Sequence, residues 1–381
     1  MLAVLIGSYP YEGPIILARM GIPFILLADP VEHPAETIEG ALRIESVPFK
    51  SDPLAVLRIP LHEQVTHVFS FTELGQLPAA LLAESLGVSS IPVRAVLKTR
   101  HKYFMRLALQ DVIVQPAFGL PAHCDEHQIC YPVIVKPVDS SGSRNVMLIE
   151  TADDFLRRAH LSSSYLWEQY IEGPEFSVEA VTFQGQHHIL AITEKVTTGA
   201  PHYVEAAHFS PARLPQWQAE QIKQTVGRCL SALDIRQGAS HTEIKWADGQ
   251  AFLIETHTRG GGDRIALLTK LVTGYDQIEL AVRSIMGDAL PAPEKARYAC
   301  AGVRYFRWHP GIIEHIEGVE ASKKIPGLIE LELTIKPGNR MPEWQDSSDR
   351  PGYVVVGGAT FEEVATRLQL AEELIQVRYT Q

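Results

Sequence analysis

Two glutamates flank a short turn in the second half of the sequence and have the spacing of a cation site. Asp248-Gly249 is typical of a tight hairpin turn between two strands. Glu243 and Glu255 are equally far from Gly249, so we expect them to lie opposite or diagonal to each other across the ladder, on one face. Two such carboxylates repel each other unless a cation lies between them, and Mg²⁺ is usually held by a few carboxylates together with phosphates and water. An ordinary hairpin with two outward glutamates is the alternative.

A lysine followed by a turn rich in serine and glycine is the second candidate. A strand-like apolar run ends in Lys136, and Ser140, Ser141, Gly142 and Ser143 follow it. Backbone N–H groups and hydroxyls of such a turn can wrap a polyphosphate while the lysine supplies positive charge. A surface lysine beside an ordinary turn fits the same residues.

The third candidate is a strand that runs into a short acidic linker. Glu168 lies on the strand, and Glu175 follows it seven residues later. The backbone of such a linker can present N–H and C=O groups to an adenine edge, and a carboxylate can accept both ribose hydroxyls. An exposed acidic turn is the alternative for this segment.

Other nucleotide motifs and several classes of partner are excluded by the sequence. After Gly7 the next glycine is Gly13, so the GxGxxG fingerprint is absent, and no GxxxxGK[ST] occurs. The 381 residues carry 34 Lys and Arg against 45 Asp and Glu, a formal charge of −11, which argues against nucleic acid and anionic membranes as partners.

The same sequence predicts a cytoplasmic protein with reduced thiols. The longest apolar runs are far shorter than the roughly 20 residues that span a bilayer, and Met1 leads directly into a strand-like segment. The four cysteines include no CxxC pair and are too few for a disulfide scaffold.

The elements around these candidates indicate an α/β protein with α+β parts. The first 95 residues alternate strands and helices, which predicts a βαβ-type domain. We place its strands at 2–7, 22–28 and 66–71 and its helices at 13–20 and 78–86.

Shorter strands follow a basic helix predicted at 98–109 and suggest a smaller α+β lobe. We place strands at 133–136, 146–150 and 165–169 and a helix at 153–160. A larger mixed sheet follows from 176 to about 290, and we place within it an irregular stretch at 197–215 and a helix at 216–233. Pro291-Ala-Pro293 is a plausible joint, and the remainder is rich in strands with a closing helix near 361–376.

The order of these motifs resembles the ATP-grasp superfamily over residues 98–265. The lysine and Ser/Gly loop come first, Glu-Gln-Tyr-Ile-Glu-Gly-Pro-Glu follows at 168–175, and the glutamate hairpin leads into Arg259 and three glycines. Within the superfamily, residues 193–212 and Arg350-Pro-Gly-Tyr-Val are similar to L-amino-acid ligases. The resemblance implies an ATP-grasp fold with an N-terminal βαβ domain at 1–95, an ATP-grasp region at 96–290 with its small lobe near 110–167, and a β-rich C-terminal part at 291–381.

The resemblance also implies residue roles for ATP and a metal ion. The residues implied to bind ATP are Lys102 or Lys98, Lys136, Ser140, Ser141, Gly142, Ser143, Glu168, Tyr170, Ile171 and Glu175. Glu243 and Glu255 hold Mg²⁺ in this scheme, but His257 replaces the asparagine of many relatives. Imidazole is a poor ligand for Mg²⁺, so either His257 faces the substrate or the site favours Mn²⁺.

The implied reaction joins a carboxylate to an amine through an acyl phosphate and releases ADP and phosphate. Arg259, Lys136 and His208 are the implied catalytic residues, with Arg259 stabilising the oxyanion. A loop at 195–212 is expected to close over the site and exclude water. The residues expected to contact the small-molecule substrates are Glu73, Lys195, His202, Glu205, His257, Gly261 and Gly262.

Several alternatives stay open at this stage. Glu73 is expected to pair with a substrate ammonium, and a carboxylate at the start of a helix is its other interpretation. A carboxylase-like enzyme that activates bicarbonate and an ATP-binding protein without catalysis are the rival functions. The sequence also leaves room for a homodimer.

Overall fold

Four β-sheets with helices packed against them make up the computed structural model of the described residues. These residues are 1–7, 12–32, 37–121, 124, 126–140, 142, 144–158, 164–200 and 202–380. The largest core cluster joins the N-terminal sheet to the helices and strands of the central sheet, so buried apolar contacts run between these regions. No helix in these ranges is both long and apolar enough to cross a membrane.

The N-terminal sheet has four parallel strands and confirms the predicted βαβ pattern. Its elements are β1 (Ala3–Ile6), α1 (Glu12–Arg19), β2 (Phe24–Ala28), β3 (Ala41–Ser46), β4 (His67–Phe69) and α2 (Gln76–Leu86). Every residue of β1 and β2 is buried, as expected for parallel strands covered on both faces. Gly87 ends α2 in the left-handed conformation, and β3 is a strand that the sequence pattern did not indicate.

The basic segment predicted as one helix is two helices, α3 (Val93–Arg100) and α4 (Lys102–Leu109). His101 has an extended conformation between them, and its ring accepts a hydrogen bond from the Phe104 N–H. In α4, Lys102 and Arg106 lie four residues apart on the buried face. The helix therefore directs two cations into the protein.

A four-stranded antiparallel sheet forms the small lobe, in the order β5-β8-β6-β7. Its elements are β5 (Phe118–Gly119), β6 (Val133–Pro137), β7 (Met147–Ile149), α5 (Ala152–Arg157) and β8 (Tyr165–Gln169). Glu168 pairs with Ile134 and Lys136 pairs with Leu166. Because side chains alternate along strands, Lys136 and Glu168 share one face of the lobe.

An eight-stranded sheet dominates the rest of the chain, in the order β13-β12-β9-β10-β11-β14-β18-β16. We call it the central sheet, and its strands are β9 (Glu175–Phe183), β10 (Gln186–Thr197), β11 (Glu205–Ser210), β12 (Gly238–Ala247), β13 (Gln250–His257), β14 (Cys300–Tyr305), β16 (Leu328–Leu333) and β18 (Gly352–Gly358). The helices of this region are α6 (Gln216–Ala232), α7 (Ile265–Thr273), α8 (Gln277–Met286), α9 (Val319–Ser322) and α10 (Phe361–Leu374). A separate three-stranded sheet consists of β15 (Gly311–Glu317), β17 (Arg340–Met341) and β19 (Gln376–Tyr379) in the order β17-β15-β19. Strands β14, β16 and β18 extend the sheet that begins with β9. The C-terminal part therefore shares its main sheet with the preceding region.

The expected loop at 195–212 is wrong for most of its length. Strands β10 and β11 pair as an antiparallel hairpin in which Lys195 faces His208, and only 198–204 connect them. Both strands lie inside the central sheet, and most of β11 is buried. Buried strands do not need the alternation of apolar and polar residues that marks a half-exposed strand, which is why the sequence pattern missed them.

Candidate functional site

The glutamate hairpin has the predicted register. Glu243 on β12 pairs with Glu255 on β13, and the turn lies at Asp248-Gly249. A two-residue turn that pairs Ala247 with Gln250 would by itself place Glu243 opposite residue 254. A bulge between Glu243 and Ile244 shifts the ladder by one residue and brings the two carboxylates opposite each other.

A pocket with an empty volume of about 850 Å³ lies beside this pair, between the small lobe and the central sheet. Most of the residues expected to bind ATP line it: Lys102, Lys136, Ser140, Gly142, Glu168, Tyr170, Ile171 and Glu175. We call it the nucleotide pocket. One end is rich in charged side chains and the other in apolar and aromatic ones.

Glu168 anchors the charged end of the nucleotide pocket. Its carboxylate lies 2.8 Å from Arg106 Nε and 2.7 Å from Lys136 Nζ, and Arg106 is fully buried. Arg106 also donates to the Ile254 carbonyl at 2.7 Å. Burial opposes ionisation of Glu168, but Arg106 and Lys136 outweigh it and lower its pKa to about 2. A buried cluster of two cations and one anion therefore leaves positive charge available to a polyanion.

Lys102, and not Lys98, faces the nucleotide pocket. Lys102 Nζ lies 3.0 Å from Glu255 Oε2 and donates to the Ser140 carbonyl at 2.5 Å. Lys98 Nζ instead lies 3.4 Å from the Ala232 carbonyl at the end of α6. The structure thus separates two lysines that the sequence left as alternatives.

Lys195 neutralises the second carboxylate of the pair. Its Nζ lies 2.6 Å from both Glu243 Oε1 and Glu175 Oε1, and 3.6 Å from Glu205 Oε1. Burial disfavours the ammonium, but these carboxylates outweigh it and raise the pKa of Lys195 well above its usual value. Protein cations therefore hold both members of the glutamate pair.

Aromatic and apolar groups form the other end of the nucleotide pocket. Tyr170 and Tyr203 lie with ring centroids 6.4 Å apart, and Ile134 and Ile254 also line the pocket. Burial and a hydrogen bond with Tyr170 raise the pKa of Tyr203 to about 12. This end can enclose a flat apolar ring such as a nucleobase.

A second chamber, with an empty volume of about 760 Å³, lies on the other side of the glutamate pair. It shares Gly142, Glu205, Glu243 and Glu255 with the nucleotide pocket. Its remaining lining residues are Lys195, His208, His241, His257, Arg259, Gly262, Asp263, Ile265 and Ser347. The two carboxylates stand where the two spaces meet.

His257 bridges two carboxylates at the edge of this chamber. Its Nε2 lies 3.1 Å from Glu255 Oε1 and its Nδ1 lies 2.9 Å from Glu73 Oε2. Glu73 also accepts from Arg259 Nε at 2.7 Å. Burial lowers the pKa of His257, but the two carboxylates outweigh it and raise the pKa overall.

A second imidazole stands behind the other glutamate of the pair. His241 Nδ1 lies 2.5 Å from the buried Glu179, and its Nε2 lies 3.4 Å from Glu243 Oε1. Burial disfavours the imidazolium, but Glu179 and Glu243 together raise the pKa of His241 to about 9. Each carboxylate of the pair is thus in contact with a histidine as well as a lysine.

The far wall of the chamber is built around Asp263. Arg350 donates to both of its oxygens, at 2.8 and 2.6 Å, and the guanidinium lies 3.7 Å from the Tyr305 ring centroid. The fully buried His208 has Nε2 3.5 Å from Asp263 Oδ2. Asp263 and Arg264 both have positive φ, at 52° and 64°, which non-glycine residues rarely adopt.

Comparison with known proteins identifies this arrangement. A family model described as the ATP-grasp domain matches residues 156–266, and a model of the L-amino acid ligase C-terminal domain 2 matches 304–380. Residues 156–266 match the ATP-grasp domain. The crystal structure of an L-amino acid ligase from Bacillus licheniformis has the same fold, with a TM-score of 0.85 and 22% identity over 100% of this chain and 99% of that one.

Curated relatives match the ATP-grasp chain at lower coverage. Dapdiamide A synthase from Enterobacter agglomerans is 25% identical over 299 residues, which cover 67% of this chain and 66% of that protein. An uncharacterized protein of Sinorhizobium fredii is 27% identical over 263 residues, or 66% of this chain and 54% of that protein. The chain therefore spans less than two thirds of the length of either relative.

The ATP-grasp site brings together most of the residues that the sequence singled out, with a few exceptions. His202 lies in the β10–β11 connection and lines neither space. Gly261 donates its N–H to Glu179 at 2.9 Å, while Gly262 lines the chamber. Ser141 and Ser143 lie outside the described residues.

The donor set fits a divalent cation carried by a nucleotide better than a cage made by the protein alone. Within the described ranges no three His, Cys, Asp or Glu side chains are arranged to hold a metal ion. His257 does not join Glu243 and Glu255 around a common point, because carboxylates occupy both of its nitrogens. Mg²⁺ typically takes one or two protein carboxylates and completes its shell with phosphate and water, which matches the glutamate pair.

Several site residues escaped the sequence analysis. Arg106 follows Lys102 by four positions on a predicted helix, so helical spacing was the signal that could have found it. His241 lies two residues before Glu243 on the same strand face, which is a comparable signal. Glu179 and Asp263 left no such signal, because their partners come from distant parts of the chain.

Proposed function

We propose that this ATP-grasp protein is an ATP-dependent carboxylate–amine ligase that works through an acyl phosphate and releases ADP and phosphate. The observation that carries this proposal is the glutamate pair Glu243 and Glu255, which stands between a pocket rich in lysine and a charged chamber. Phosphoryl transfer needs a polyphosphate on one side of such a pair and an acceptor on the other. The match of residues 304–380 to an L-amino acid ligase domain supports amino acids as the substrates.

ATP is assigned to the nucleotide pocket. Lys102 and Lys136 contact its phosphates, Tyr170 and Ile171 frame the base, and Glu175 accepts the ribose hydroxyls. Glu243 and Glu255 hold Mg²⁺ with the phosphates. When bound, the ion neutralises charge on the phosphoryl group and helps to hold it in line for attack.

The amino-acid substrates are assigned to the second chamber. Its wall alternates carboxylates with cations, and zwitterions are ligands that such a wall can pair at both ends. Glu73 pairs with the substrate ammonium in this scheme, in competition with Arg259 and His257. The substrates are small molecules, and a homodimer stays a prediction that light scattering of the purified protein can test.

The reaction has two balanced steps. A carboxylate oxygen attacks the γ-phosphorus, the bond to the bridging oxygen breaks, and ADP leaves. The amine nitrogen then attacks the acyl carbon, the C–O bond to phosphate breaks, and the nitrogen gives up a proton as the amide forms. We assign the developing oxyanion to Arg259, the phosphoryl group to Lys136 and the proton from the amine to His208.

A substrate screen tests the proposal directly. Amino acids are supplied singly and in pairs with Mg²⁺ and ATP, ADP and phosphate release are measured, and products are identified by mass spectrometry. We expect ADP release that depends on an amino acid and an amide product in equal amount. ADP release with bicarbonate alone would favour a carboxylase-like enzyme, and ATP binding without turnover under every condition would favour a non-catalytic protein.

A further inference from the structure

One lysine of the nucleotide pocket is used differently from the other two. Lys102 and Lys136 each lie within 3.0 Å of a carboxylate, Glu255 and Glu168 respectively. Lys245 also lines the pocket, but within the described part of the chain no carboxylate lies within 4.0 Å of its Nζ. The donors of its Nζ that do not go to a carboxylate therefore remain available at this end of the pocket.

Lys245 lies at the aromatic end of the nucleotide pocket, the end that we assign to the base. Lys245 Nζ donates to the Ile171 carbonyl at 3.2 Å, and it lies 5.4 and 5.9 Å from the ring centroids of Tyr170 and Tyr203. Lys245 is two residues beyond Glu243 on β12, so both side chains project from the same strand face. One strand thus supplies a carboxylate to the phosphate end and a cation to the base end.

The contact between Lys245 and Ile171 presents two complementary groups side by side. An ammonium has three donors, of which one goes to the carbonyl, and a carbonyl oxygen has a second lone pair. Adenine carries a donor amine at position 6, whereas guanine and hypoxanthine, the base of IDP, carry an acceptor oxygen there. The Ile171 carbonyl by itself would accept a hydrogen bond from the 6-amine of adenine and repel the 6-oxygen of the other purines. A lysine beside it can donate to that oxygen.

We propose that Lys245 and the Ile171 carbonyl together recognise position 6 of a purine, so that the pocket accepts 6-oxopurine nucleotides as well as adenine nucleotides. This inference rests on the proposed function, because it assumes that the pocket binds a nucleoside phosphate. It adds Lys245, which lies outside the motif residues at 168–175, to the groups that select the base. The other contacts that we assign in the pocket, to phosphate, to ribose and to the faces of the base, are common to both purines.

The test compares MgADP with MgIDP, because the two differ only at the purine ring and neither requires the unknown amino acid. Titration calorimetry gives the Kd of each nucleotide for the wild type, Lys245→Met, Lys245→Arg and the control Lys324→Met. Lys324 is exposed and far from the pocket lining. Circular dichroism checks that each variant is folded.

We expect the wild-type Kd for MgIDP to lie within about tenfold of that for MgADP. Lys245→Met should weaken MgIDP about 10- to 100-fold more than it weakens MgADP, because only MgIDP loses a charge-assisted hydrogen bond at position 6. Lys245→Arg retains a charged donor and should keep most of the MgIDP affinity. The control should match the wild type.

Three outcomes would overturn the inference. A wild-type protein that binds MgADP a thousandfold more tightly than MgIDP does not accept 6-oxopurine nucleotides, whatever the variants do. An unchanged ratio of the two affinities in Lys245→Met would show that the lysine does not contact the base. If the wild type binds neither nucleotide, the proposed function itself fails, and the inference fails with it.

Discussion

The substitution Glu255→Gln should destabilise the protein in the absence of metal and nucleotide. The Glu255 carboxylate lies 3.0 Å from Lys102 Nζ and 3.1 Å from His257 Nε2. If repulsion between Glu243 and Glu255 dominated, Glu255→Gln would instead stabilise the protein, because removing one charge would relieve that repulsion. The direction of the pKa shift of Glu255 shows which effect dominates. Burial raises this pKa, yet Lys102 and His257 outweigh both burial and the neighbouring Glu243 and hold it well below its usual value.

The size of the effect follows from the two contacts. Hydrogen bonds to charged groups contribute about 1.5–3 kcal/mol and neutral ones about 0.5–1.5, so each weakened contact loses about 1 kcal/mol. The variant also loses the repulsion between Glu243 and Glu255, which offsets part of this loss. The offset is small because Lys195 Nζ already lies 2.6 Å from the Glu243 carboxylate. We expect a net loss of about 1–2 kcal/mol, which for a chain of 381 residues is a fall of roughly 1–3 °C in the melting temperature.

The pH dependence provides a second measurement of the same effect. A carboxylate whose pKa is lowered by folding stabilises the protein fully above its unfolded pKa of about 4.3, and this stabilisation is lost as the pH falls toward the folded pKa. The difference in melting temperature between wild type and Glu255→Gln should therefore be largest near pH 7. It should shrink progressively below about pH 5.

Thermal scans in EDTA at pH 7 and pH 4 measure both quantities. The control is Glu320→Gln, since Glu320 is 82% exposed and its contact with Lys323 is on the surface. We expect the control to stay within about 0.5 kcal/mol of the wild type. A Glu255→Gln variant that melts above the wild type at pH 7 would refute the reasoning, because repulsion within the pair would then exceed the attraction of the cations.

Three further predictions follow from the site. Turnover should yield ADP and orthophosphate, and pyrophosphate appearing in step with product would replace the acyl phosphate with an adenylate. Arg106→Met leaves the buried Glu168 with one cation fewer and should cost about 3–5 kcal/mol of stability, measured by urea unfolding, whereas a loss below about 1 kcal/mol would contradict the role of this contact. Arg259→Lys should lower amide formation by about 10²–10³-fold while ATP affinity, measured by calorimetry, changes little. A collapse of ATP binding with ADP and amide still formed in equal amounts would place Arg259 in the phosphate site.

The hairpin shows how far the sequence could predict the site. Equal spacing around Gly249 predicted Glu243 and Glu255 opposite or diagonal to each other, and they are opposite, although a regular two-residue turn would have paired Glu243 with Ile254. The bulge that pairs them lies in the β12–β13 ladder, whereas the β12–β9 ladder is regular there and places Glu243 opposite Ser177. Local spacing therefore identified the residues, while the register that pairs them depends on the bulge.

Other parts of the site depend on contacts that sequence patterns do not record. The helix pattern of α4 is visible in the sequence, and it carries both Lys102 and Arg106 on one face. The partner that makes Arg106 important is Glu168, which lies 62 residues later. The β10–β11 hairpin was missed for a related reason, because its strands lie inside a broad sheet and show no simple alternation.

The structure also corrects the physical premise behind the predicted cation site. The glutamate pair does not need a metal ion to relieve its repulsion, since Lys102 and Lys195 already lie against Glu255 and Glu243. A buried site balanced in this way can persist without ligand, whereas unpaired buried carboxylates could not. Phosphates that approach Lys102 must then compete with Glu255 for it. We expect a divalent cation that takes over the carboxylate to remove this competition, and thereby to make nucleotide binding depend on metal binding.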